Sequence, residues 1–304
     1  MMYDLIIIGA GPAGITAAVY AARKRMKTLV LTRNIGGQAA MSWDVENYTG
    51  YQFITGPELA KKFEEHLKSQ QVESHEGVSV ESIWKTGDSF KVMSSDGTYE
   101  ARMVIIATGK QPNRLGVPGE KEFWNKGVTY CATCDAPIFE GKPVVVVGGG
   151  NSALDAAIQL AKIASRVSIV NIMPEFTGDP VMVEKVISSD RVTVYARSEI
   201  NEILGQAFVT HVKVRTPEGI VEVPAEGVFI EIGSGPSLVP VMNAELKLND
   251  KREIEVNENA ETSVPGLFAC GDVSSVPVKQ IIVAAGQGCV ACLSAFKYLS
   301  TRRF

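Results

Sequence analysis

The sequence predicts an α/β fold with two Rossmann-like (three-layer ββα) dinucleotide-binding domains, the second inserted into the first. Two strand–glycine turn–helix–strand units, which begin about 140 residues apart, carry this prediction. Hydrophobic residues make up 45 % of the 304 residues and charged residues 21 %, which is typical of a globular protein. The 28 glycines lie in clusters without a repeat, as expected for special turns.

The first unit begins at the start of the sequence. An apolar, β-branched strand at 5–8 leads into a glycine turn at 9–14, an alanine-rich helix at 15–25 and a strand at 28–31. The uncharged run 5–22 is long enough to suggest a membrane span, but glycines interrupt it and no basic cluster precedes it. We therefore expect a soluble, cytoplasmic protein.

The second unit repeats this layout, with a strand at 144–147, a glycine turn at 148–153, a helix to about 163 and a strand at 167–170. The other predicted elements are a helix at 57–69, strands at 78–83, 90–94, 98–101, 103–106, 191–195, 211–215, 220–224, 227–232 and 267–269, and a final helix at 281–299. Hinges rich in Gly and Pro are predicted at 109–119 and 233–240. They divide the chain into a discontinuous domain, 1–110 with 235–304, and an inserted domain, 111–234.

Charge and cysteine content exclude several classes of function. The formal net charge is −4, so the chain offers no basic surface for nucleic acid or an anionic membrane. Five cysteines in 304 residues are too few for the disulfide framework of a small secreted domain.

Each glycine turn has the spacing of a dinucleotide site. Gly9-x-Gly11-x-x-Gly14 and Gly148-x-Gly150-x-x-Ala153 both lie between a strand and a helix, so each helix directs its positive N-terminus at a pyrophosphate. The strand after the first turn ends in Thr32-Arg33-Asn34 without an acidic residue, which argues against a plain NAD site there. Two such sites on one chain are consistent with a flavin and a nicotinamide nucleotide.

The region after the second turn indicates which nicotinamide nucleotide is used. The strand ends in Asn171, and no Lys or Arg occurs from 167 through 184. A 2′-phosphate normally needs a cation, and Glu175 and Asp179 would add negative charge nearby. We therefore expect NADH to be favoured over NADPH.

Cys131-Ala132-Thr133-Cys134-Asp135 precedes the second unit. Two thiols at this spacing can close a reversible disulfide, and Asp135 is the candidate proton donor. The alternatives are a zinc half-site and plain packing. The only other cysteine pair, Cys289 and Cys292, lies on a predicted apolar helix, which argues against a zinc site. We expect Cys289, Cys292 and Cys270 to be core residues.

With these motifs in this order, the chain resembles the low-molecular-weight, bacterial-type thioredoxin reductases over essentially its whole length. The second half is also similar to the flavoprotein component of alkyl hydroperoxide reductase. The matching stretches are Gly9–Gly14, Gly36-Gly37-Gln38, Val45-Glu46-Asn47-Tyr48, Ala107-Thr108-Gly109, Cys131–Asp135, Gly148–Ala153, Gly271-Asp272, Val273-Ser274-Ser275-Val276-Pro277 and Lys279-Gln280-Ile281-Ile282.

The resemblance implies a homodimeric flavoenzyme that reduces thioredoxin or a thioredoxin-like or glutaredoxin-like protein. In the family, the second cysteine faces the flavin and the first attacks the partner disulfide, which correspond to Cys134 and Cys131. The implied FAD residues are Gly9, Gly11, Pro12, Ala13, Gly14, Thr32, Gly36, Gly37, Gln38, Asn47, Thr108, Gly109, Gly271, Asp272, Lys279, Gln280 and Ile281. The implied nucleotide residues are Gly148, Gly150, Asn151, Ser152, Ala153 and Asn171, with no metal ligand.

Family members that use NADPH carry a basic cluster after the second strand of the nucleotide domain, which this chain lacks, so the electron donor stays open. Some relatives take electrons from ferredoxin or a deazaflavin instead. A ferredoxin–NADP reductase of the same fold is a further alternative that Cys131 and Cys134 argue against, and a non-catalytic nucleotide sensor is another. With the cysteine pair and the nicotinamide site both on 111–234, we expect rotation of that domain to present them alternately to the flavin.

Overall fold

A computed structural model describes residues 2–41, 44–45 and 47–301, without the side chains of residues 44, 133 and 134. The chain forms two compact units, Met1–Gln111 with Gly235–Phe304, and Pro112–Ser234. It leaves the first unit along one short strand, Lys110–Pro112, and returns along another, Ser234–Pro236, and these two strands pair.

The helices are α1 (Pro12–Arg23), α2 (Gly56–Ser69), α3 (Ala132–Asp135), α4 (Asn151–Ile163), α5 (Pro180–Ile187) and α6 (Ile281–Thr301). The strands are β1 (Met2–Ala10), β2 (Thr28–Ile35), β3 (Asp44–Val45), β4 (Ile54–Thr55), β5 (Glu73–Glu76), β6 (Val80–Thr86), β7 (Ser89–Ser94), β8 (Gly97–Ile106), β9 (Lys110–Pro112), β10 (Val128–Thr129), β11 (Pro143–Val147), β12 (Arg166–Asn171), β13 (Val192–Ala196), β14 (Glu199–Gly205), β15 (Val209–Thr216), β16 (Gly219–Pro224), β17 (Gly227–Ile230), β18 (Ser234–Pro236), β19 (Val241–Met242) and β20 (Leu267–Ala269).

The first unit is organised by an eight-stranded sheet in the order β19-β6-β7-β8-β1-β2-β5, with β20 also paired to β8. β1 runs parallel to both neighbours, so that Ile6 lies opposite Leu29 and Val104. The strands predicted separately at 98–101 and 103–106 are one continuous strand, β8. The charged residue between them, Arg102, does not interrupt the strand. Its guanidinium lies 3.1 Å from the Asp4 carboxylate, while the side chains on either side, Ala101 and Met103, are buried.

One face of this sheet is covered by α1 and α6, which pack closely because small residues line their contact. A Cβ on Gly288 would lie 2.0 Å from the Ala13 carbonyl oxygen. By length and composition alone, α6 could cross a membrane. Its alanines and Cys292 lie in the core with α1.

The second unit has a five-stranded parallel sheet in the order β10-β17-β11-β12-β13 and a three-stranded antiparallel sheet, β14-β15-β16. Neither α5 nor β14 is predicted from the sequence. α5 is only eight residues long. In β14, Asn201 and Glu202 stand together between Ile200 and Ile203, so a bulge breaks the alternation that would have predicted a strand. The strand predicted at 227–232 ends at Ile230.

Candidate functional site

The first glycine turn connects β1 to α1. Gly9 has φ +103°, and a Cβ there would lie 2.4 Å from the Ala107 carbonyl oxygen; one on Gly14 would lie 1.9 Å from the Gly9 carbonyl oxygen. Both positions therefore require glycine. A Cβ on Gly11 would meet nothing within 4 Å, so open space lies before Pro12 and Ala13, where α1 begins. This is the cradle that a pyrophosphate needs.

Predicted residues from the next strand close around this turn. The Thr32 hydroxyl accepts the Ala10 N–H at 3.1 Å and donates to the Asn34 carbonyl at 2.7 Å. Gly37, at φ +55°, approaches Gly11, since its Cβ would lie 3.2 Å from the Gly11 Cα. Beside it are Gly36, whose N–H donates to the Ala10 carbonyl at 2.8 Å, and Gln38, whose amide donates to the Lys110 carbonyl at 3.2 Å.

Segments remote in sequence complete the first site. Gly271, at φ +73°, lies against α1, because its Cβ would be 3.0 Å from the Ala13 Cβ. The amide of Asn47 donates to the Gln280 side-chain oxygen at 3.3 Å, just before Ile281 starts α6. The Thr108 hydroxyl donates to the Ser237 carbonyl, and Gly109 has φ +66°. Glu46, which belongs to the predicted Val45–Tyr48 stretch, lies outside the described residues.

A buried charge cluster, which sequence reasoning missed, supports this end of the site. Glu253 Oε1 lies 3.0 Å from Lys279 Nζ and 3.3 Å from Lys110 Nζ. Burial alone would raise the pKa of Glu253, but hydrogen bonds from Asn249, Lys279 and Lys110 lower it to about 2. Burial raises the pKa of Asp272, and the charges of the same two lysines oppose that shift.

The second glycine turn connects β11 to α4. Gly148 has φ +136°, and a Cβ there would lie 2.2 Å from the Glu231 carbonyl oxygen and 3.1 Å from the Ala153 Cβ. A Cβ on Gly150 would have only the Thr177 hydroxyl within 4 Å, at 3.8 Å. Unlike the first turn, this turn and the N-terminus of the 13-residue helix α4 are met by the following loop, since the Thr177 N–H donates to the Gly149 carbonyl at 2.8 Å. Its first residue, Asn151, accepts the Asp179 N–H at 2.7 Å.

Asn171 is buried beside this turn, and each polar atom of its side chain forms a hydrogen bond within the following loop. It donates to the Glu175 carbonyl at 2.9 Å and accepts the Met173 N–H at 3.2 Å. Ile172 and Met173, which follow it, are 68 % and 50 % exposed. A basic residue from elsewhere does meet this loop, since the Arg197 N–H donates to the Met173 carbonyl at 3.2 Å.

The cysteine segment lies in the same unit. Cys131 is partly exposed and disulfide-bonded, and its N–H donates to the Thr129 hydroxyl at 3.1 Å. That hydroxyl donates in turn to the Asp135 carboxylate. Thr129 thus connects the predicted proton donor to the backbone of Cys131. The side chain of Cys134 lies outside the described residues.

The remaining cysteines carry free thiols. Burial raises the thiol pKa of Cys270 and of Cys292 to about 12, so both are unreactive core residues. Cys289 departs from the core position predicted for it. It is partly exposed, and its thiol forms a hydrogen bond with Tyr20 on α1, which is itself exposed. Within the described residues, no group of three or more His, Cys, Asp or Glu side chains could hold a metal ion.

Sequence reasoning also missed two acidic residues of the second unit, Glu120 and Glu231. The Glu120 carboxylate accepts the Leu115 and Gly116 N–H groups at 2.9 and 2.6 Å. Glu231 follows β17, and burial raises its pKa to about 7 despite hydrogen bonds from the Ala132 backbone and the Ser152 side chain. The available signal for Glu231 was a charged residue directly after an apolar strand.

Comparisons with known proteins agree with this geometry. The model of the family described as pyridine nucleotide-disulphide oxidoreductase matches residues 3–288. Thioredoxin reductase of Bacillus subtilis is 41 % identical over 304 residues, which cover 98 % of this chain and 95 % of that protein. An alkyl hydroperoxide reductase component of Staphylococcus epidermidis is 37 % identical over 98 % of this chain, which spans only 59 % of that protein's length. The crystal structure of Lactococcus lactis thioredoxin reductase superimposes with a TM-score of 0.90 at 34 % identity, covering 99 % of this chain and 100 % of that one.

Proposed function

Because the chain belongs to the pyridine nucleotide-disulphide oxidoreductase family, we propose that it passes electrons from a nicotinamide nucleotide through FAD and a Cys131–Cys134 disulfide to thioredoxin or a similar protein. The family and the enzyme class predicted from the sequence, a thioredoxin reductase-type oxidoreductase, are confirmed. Family membership implies FAD and a pyridine nucleotide. The electron donor, the residue roles and the partner are proposed below.

The residues of the first unit fit FAD. Gly11 leaves a cradle that any Cβ would begin to fill. Asp272 is a partly buried carboxylate for which the described residues provide no side-chain hydrogen bond, so it can accept one from a ribityl or ribose hydroxyl. Bound there, FAD would supply a group that can accept a hydride from the nucleotide and pass two electrons to the disulfide. Gln280 and Asn47, already hydrogen-bonded to each other, would hold the α6 N-terminus beside it.

The cysteine segment would perform disulfide exchange. In the reduced enzyme, the Cys131 thiolate attacks a disulfide sulfur of the partner, forming a mixed disulfide and releasing the other partner sulfur as a thiol. Cys134 then attacks Cys131, which restores the enzyme disulfide and frees the second partner thiol. Asp135 would supply the proton for the first leaving sulfur. The observation that carries the proposal is the link from Asp135 through Thr129 to the backbone of the partly exposed Cys131.

The decisive experiment is an anaerobic titration of the flavin absorption band with NADH and with NADPH, followed by addition of oxidised thioredoxin. The purified protein should be yellow, the reduced nucleotide should bleach it, and thioredoxin should restore the colour. A colourless protein that cannot be reconstituted with FAD would overturn the proposal.

We propose NADH as the favoured nucleotide. Asn171 has both polar side-chain atoms engaged within its own loop, and the exposed residues after it are apolar. Neither can neutralise a 2′-phosphate. Arg197, whose backbone N–H donates to the Met173 carbonyl in this loop, would oppose this preference if its side chain reached the 2′-phosphate.

The second candidate is the same disulfide reductase driven by reduced ferredoxin or a deazaflavin. The exposed, apolar Ile172 and Met173 favour it, since they stand where nucleotide-binding side chains are needed. In that case neither NADH nor NADPH would bleach the flavin, whereas reduced ferredoxin or a reduced deazaflavin would.

We also propose a cytoplasmic homodimer. Its support in the structure is the partly exposed apolar surface that α1 and α6 share, including Tyr20, Val290 and Leu293. Light scattering that gives the mass of a single chain would contradict the dimer.

A further inference from the structure

Glu231 stands where the cysteine segment and the second glycine turn meet. Its N–H donates to the Val147 carbonyl at 2.8 Å, and its own carbonyl is approached so closely by Gly148 that a Cβ there would lie at 2.2 Å. The backbone of Glu231 is therefore held firmly at the end of β17. Its side chain leaves this anchored position toward the N–H of Ala132, the residue that follows Cys131.

The carboxylate has one hydrogen bond to each of two helices. It accepts the Ala132 N–H at the start of α3 and the Ser152 side chain on α4. The charged group that faces it is Asp155, also on α4, and the carboxylate of Asp155 opposes its ionisation. Among the described residues, no Lys or Arg forms an ion pair with Glu231. Its negative charge is thus left without a counter-ion one peptide away from Cys131.

We propose that Glu231 is a positioning residue that controls the ionisation of the Cys131 thiol, its carboxylate holding the sulfur in the protonated form. A like charge nearby disfavours a second negative charge, and a buried pair is poorly screened by water. The inference rests on the proposed role of Cys131 as the attacking thiol. This would protect the sulfur of the partly exposed Cys131 from small oxidants, because the thiolate is the reactive form.

The coupling is reciprocal. If ionised Glu231 raises the pKa of Cys131, the Cys131 thiolate must raise the pKa of Glu231 by the same amount. The pKa of Glu231 is about 7 in the disulfide form, so the charge of Glu231, and with it the reactivity of Cys131, changes near neutral pH.

The test measures the rate at which iodoacetamide alkylates Cys131 as a function of pH. It uses the full-length protein with Cys134→Ser, in which Cys131 cannot re-form the disulfide. Adding Glu231→Gln should move the midpoint of the profile to lower pH by about one pKa unit, so that alkylation near neutral pH becomes about tenfold faster. Glu231→Asp, which keeps the charge, should restore the original midpoint.

Glu226→Gln is the matched control, because Glu226 precedes β17 at its opposite end and lies beside Lys142. It should leave the profile unchanged. A residue that only ties α3 to α4 would lower the melting temperature on substitution without moving the midpoint, and an unchanged midpoint in Glu231→Gln overturns the inference.

Should Glu231→Gln fail to fold, carbon-13 NMR of the otherwise wild-type Cys134→Ser protein provides the test. The Cβ resonance of Cys131 should titrate above the ordinary thiol value of about 8.5, because Glu231 is already ionised at that pH, and a midpoint at or below that value would refute the coupling. Neither measurement needs a nucleotide, a reduced flavin or a partner protein. Failure here therefore leaves the proposed reductase intact, and failure of the reductase assays does not affect this result.

Discussion

Lys279 Nζ lies 3.0 Å from Glu253 Oε1 and also donates to the Asp272 and Ser274 carbonyls. All three of its protons are therefore used, immediately before α6 begins. Lys110, at the start of β9, shares the same carboxylate oxygen at 3.3 Å. One buried acid thus joins the strand that leads out of the first unit to the segment that presents Asp272 and Gln280.

Glu253→Gln should destabilise the protein by about 3–5 kcal/mol, since removing one partner of a buried ion pair leaves the other charges uncompensated. Chemical denaturation of the FAD-free protein measures this change. Glu261→Gln, a substitution of a more exposed glutamate in the same unit, should cost less than about 0.5 kcal/mol. An equal loss in both variants would contradict the role assigned to Glu253.

The same acid predicts a pH dependence of stability. The pKa of Glu253 is lowered from its ordinary 4.5 to about 2 in the folded protein. The folded state therefore binds fewer protons than the unfolded state between these values, and its stability falls as pH decreases. The contribution is fully present above about pH 4.5 and is lost progressively toward pH 2. Denaturation curves should show a smaller acid-induced loss in Glu253→Gln than in the wild type, and parallel curves would contradict the assignment.

The fold class and the family could be predicted because their signals are local. Each glycine turn stands between a β-branched run and an alanine-rich helix, so Gly9–Gly14 and Gly148–Ala153 identify their units without long-range information. The ends of α2 and α4 agree with the ends predicted at 69 and at about 163, whereas α2 begins one residue earlier than predicted and α4 begins at Asn151, inside the predicted glycine turn.

The charged residues that support the site could not be predicted in this way. Glu253 acquires its role from Lys110, which is far away along the chain, and Glu231 from Ala132 and Ser152. In the sequence each is an ordinary glutamate beside an apolar run. Only the fold reveals that its charge is buried, because sequence patterns report burial of apolar side chains more clearly than pairing of polar ones.

The glycines of the first turn should separate folding from cofactor binding. Gly14→Ala places a Cβ 1.9 Å from the Gly9 carbonyl oxygen, so the turn must shift and stability should fall by about 3 kcal/mol or more. Gly11→Ala meets no protein atom within 4 Å and should change FAD-free stability by less than about 0.5 kcal/mol. It should nevertheless weaken FAD binding at least about tenfold, since its methyl group enters the cradle. Thermal melting without FAD and quenching of FAD fluorescence measure the two effects, and tight FAD binding by Gly11→Ala would place the pyrophosphate elsewhere.

Substitution of the cysteines should separate flavin reduction from disulfide reduction. Cys131→Ser and Cys134→Ser should each abolish thioredoxin reduction while nicotinamide-dependent bleaching of the flavin persists, because only the exchange step needs both sulfurs. Cys289→Ser and Cys292→Ala should keep most activity, since Cys292 is buried in the core and Cys289 bonds Tyr20. Stopped-flow absorbance and a coupled thioredoxin assay follow the two steps. Loss of turnover in Cys292→Ala with retention in Cys134→Ser would show that the wrong pair was chosen.

Nucleotide preference should respond to a cation placed in the loop after Asn171. The wild type should use NADH with a kcat/KM about 10- to 100-fold above that for NADPH, because this loop lacks one or two charged hydrogen bonds to a 2′-phosphate. Met173, which is half exposed in this loop, is a position from which a basic side chain would reach that phosphate. Met173→Arg should therefore raise the NADPH value about 10- to 100-fold, whereas Thr216→Arg, at the β15–β16 turn, should change neither nucleotide. Steady-state kinetics with both nucleotides decides the matter. If the wild type already uses NADPH as well as NADH, the specificity proposal is wrong, and loss of that activity in Arg197→Gln would identify Arg197 as the source of the missing cation.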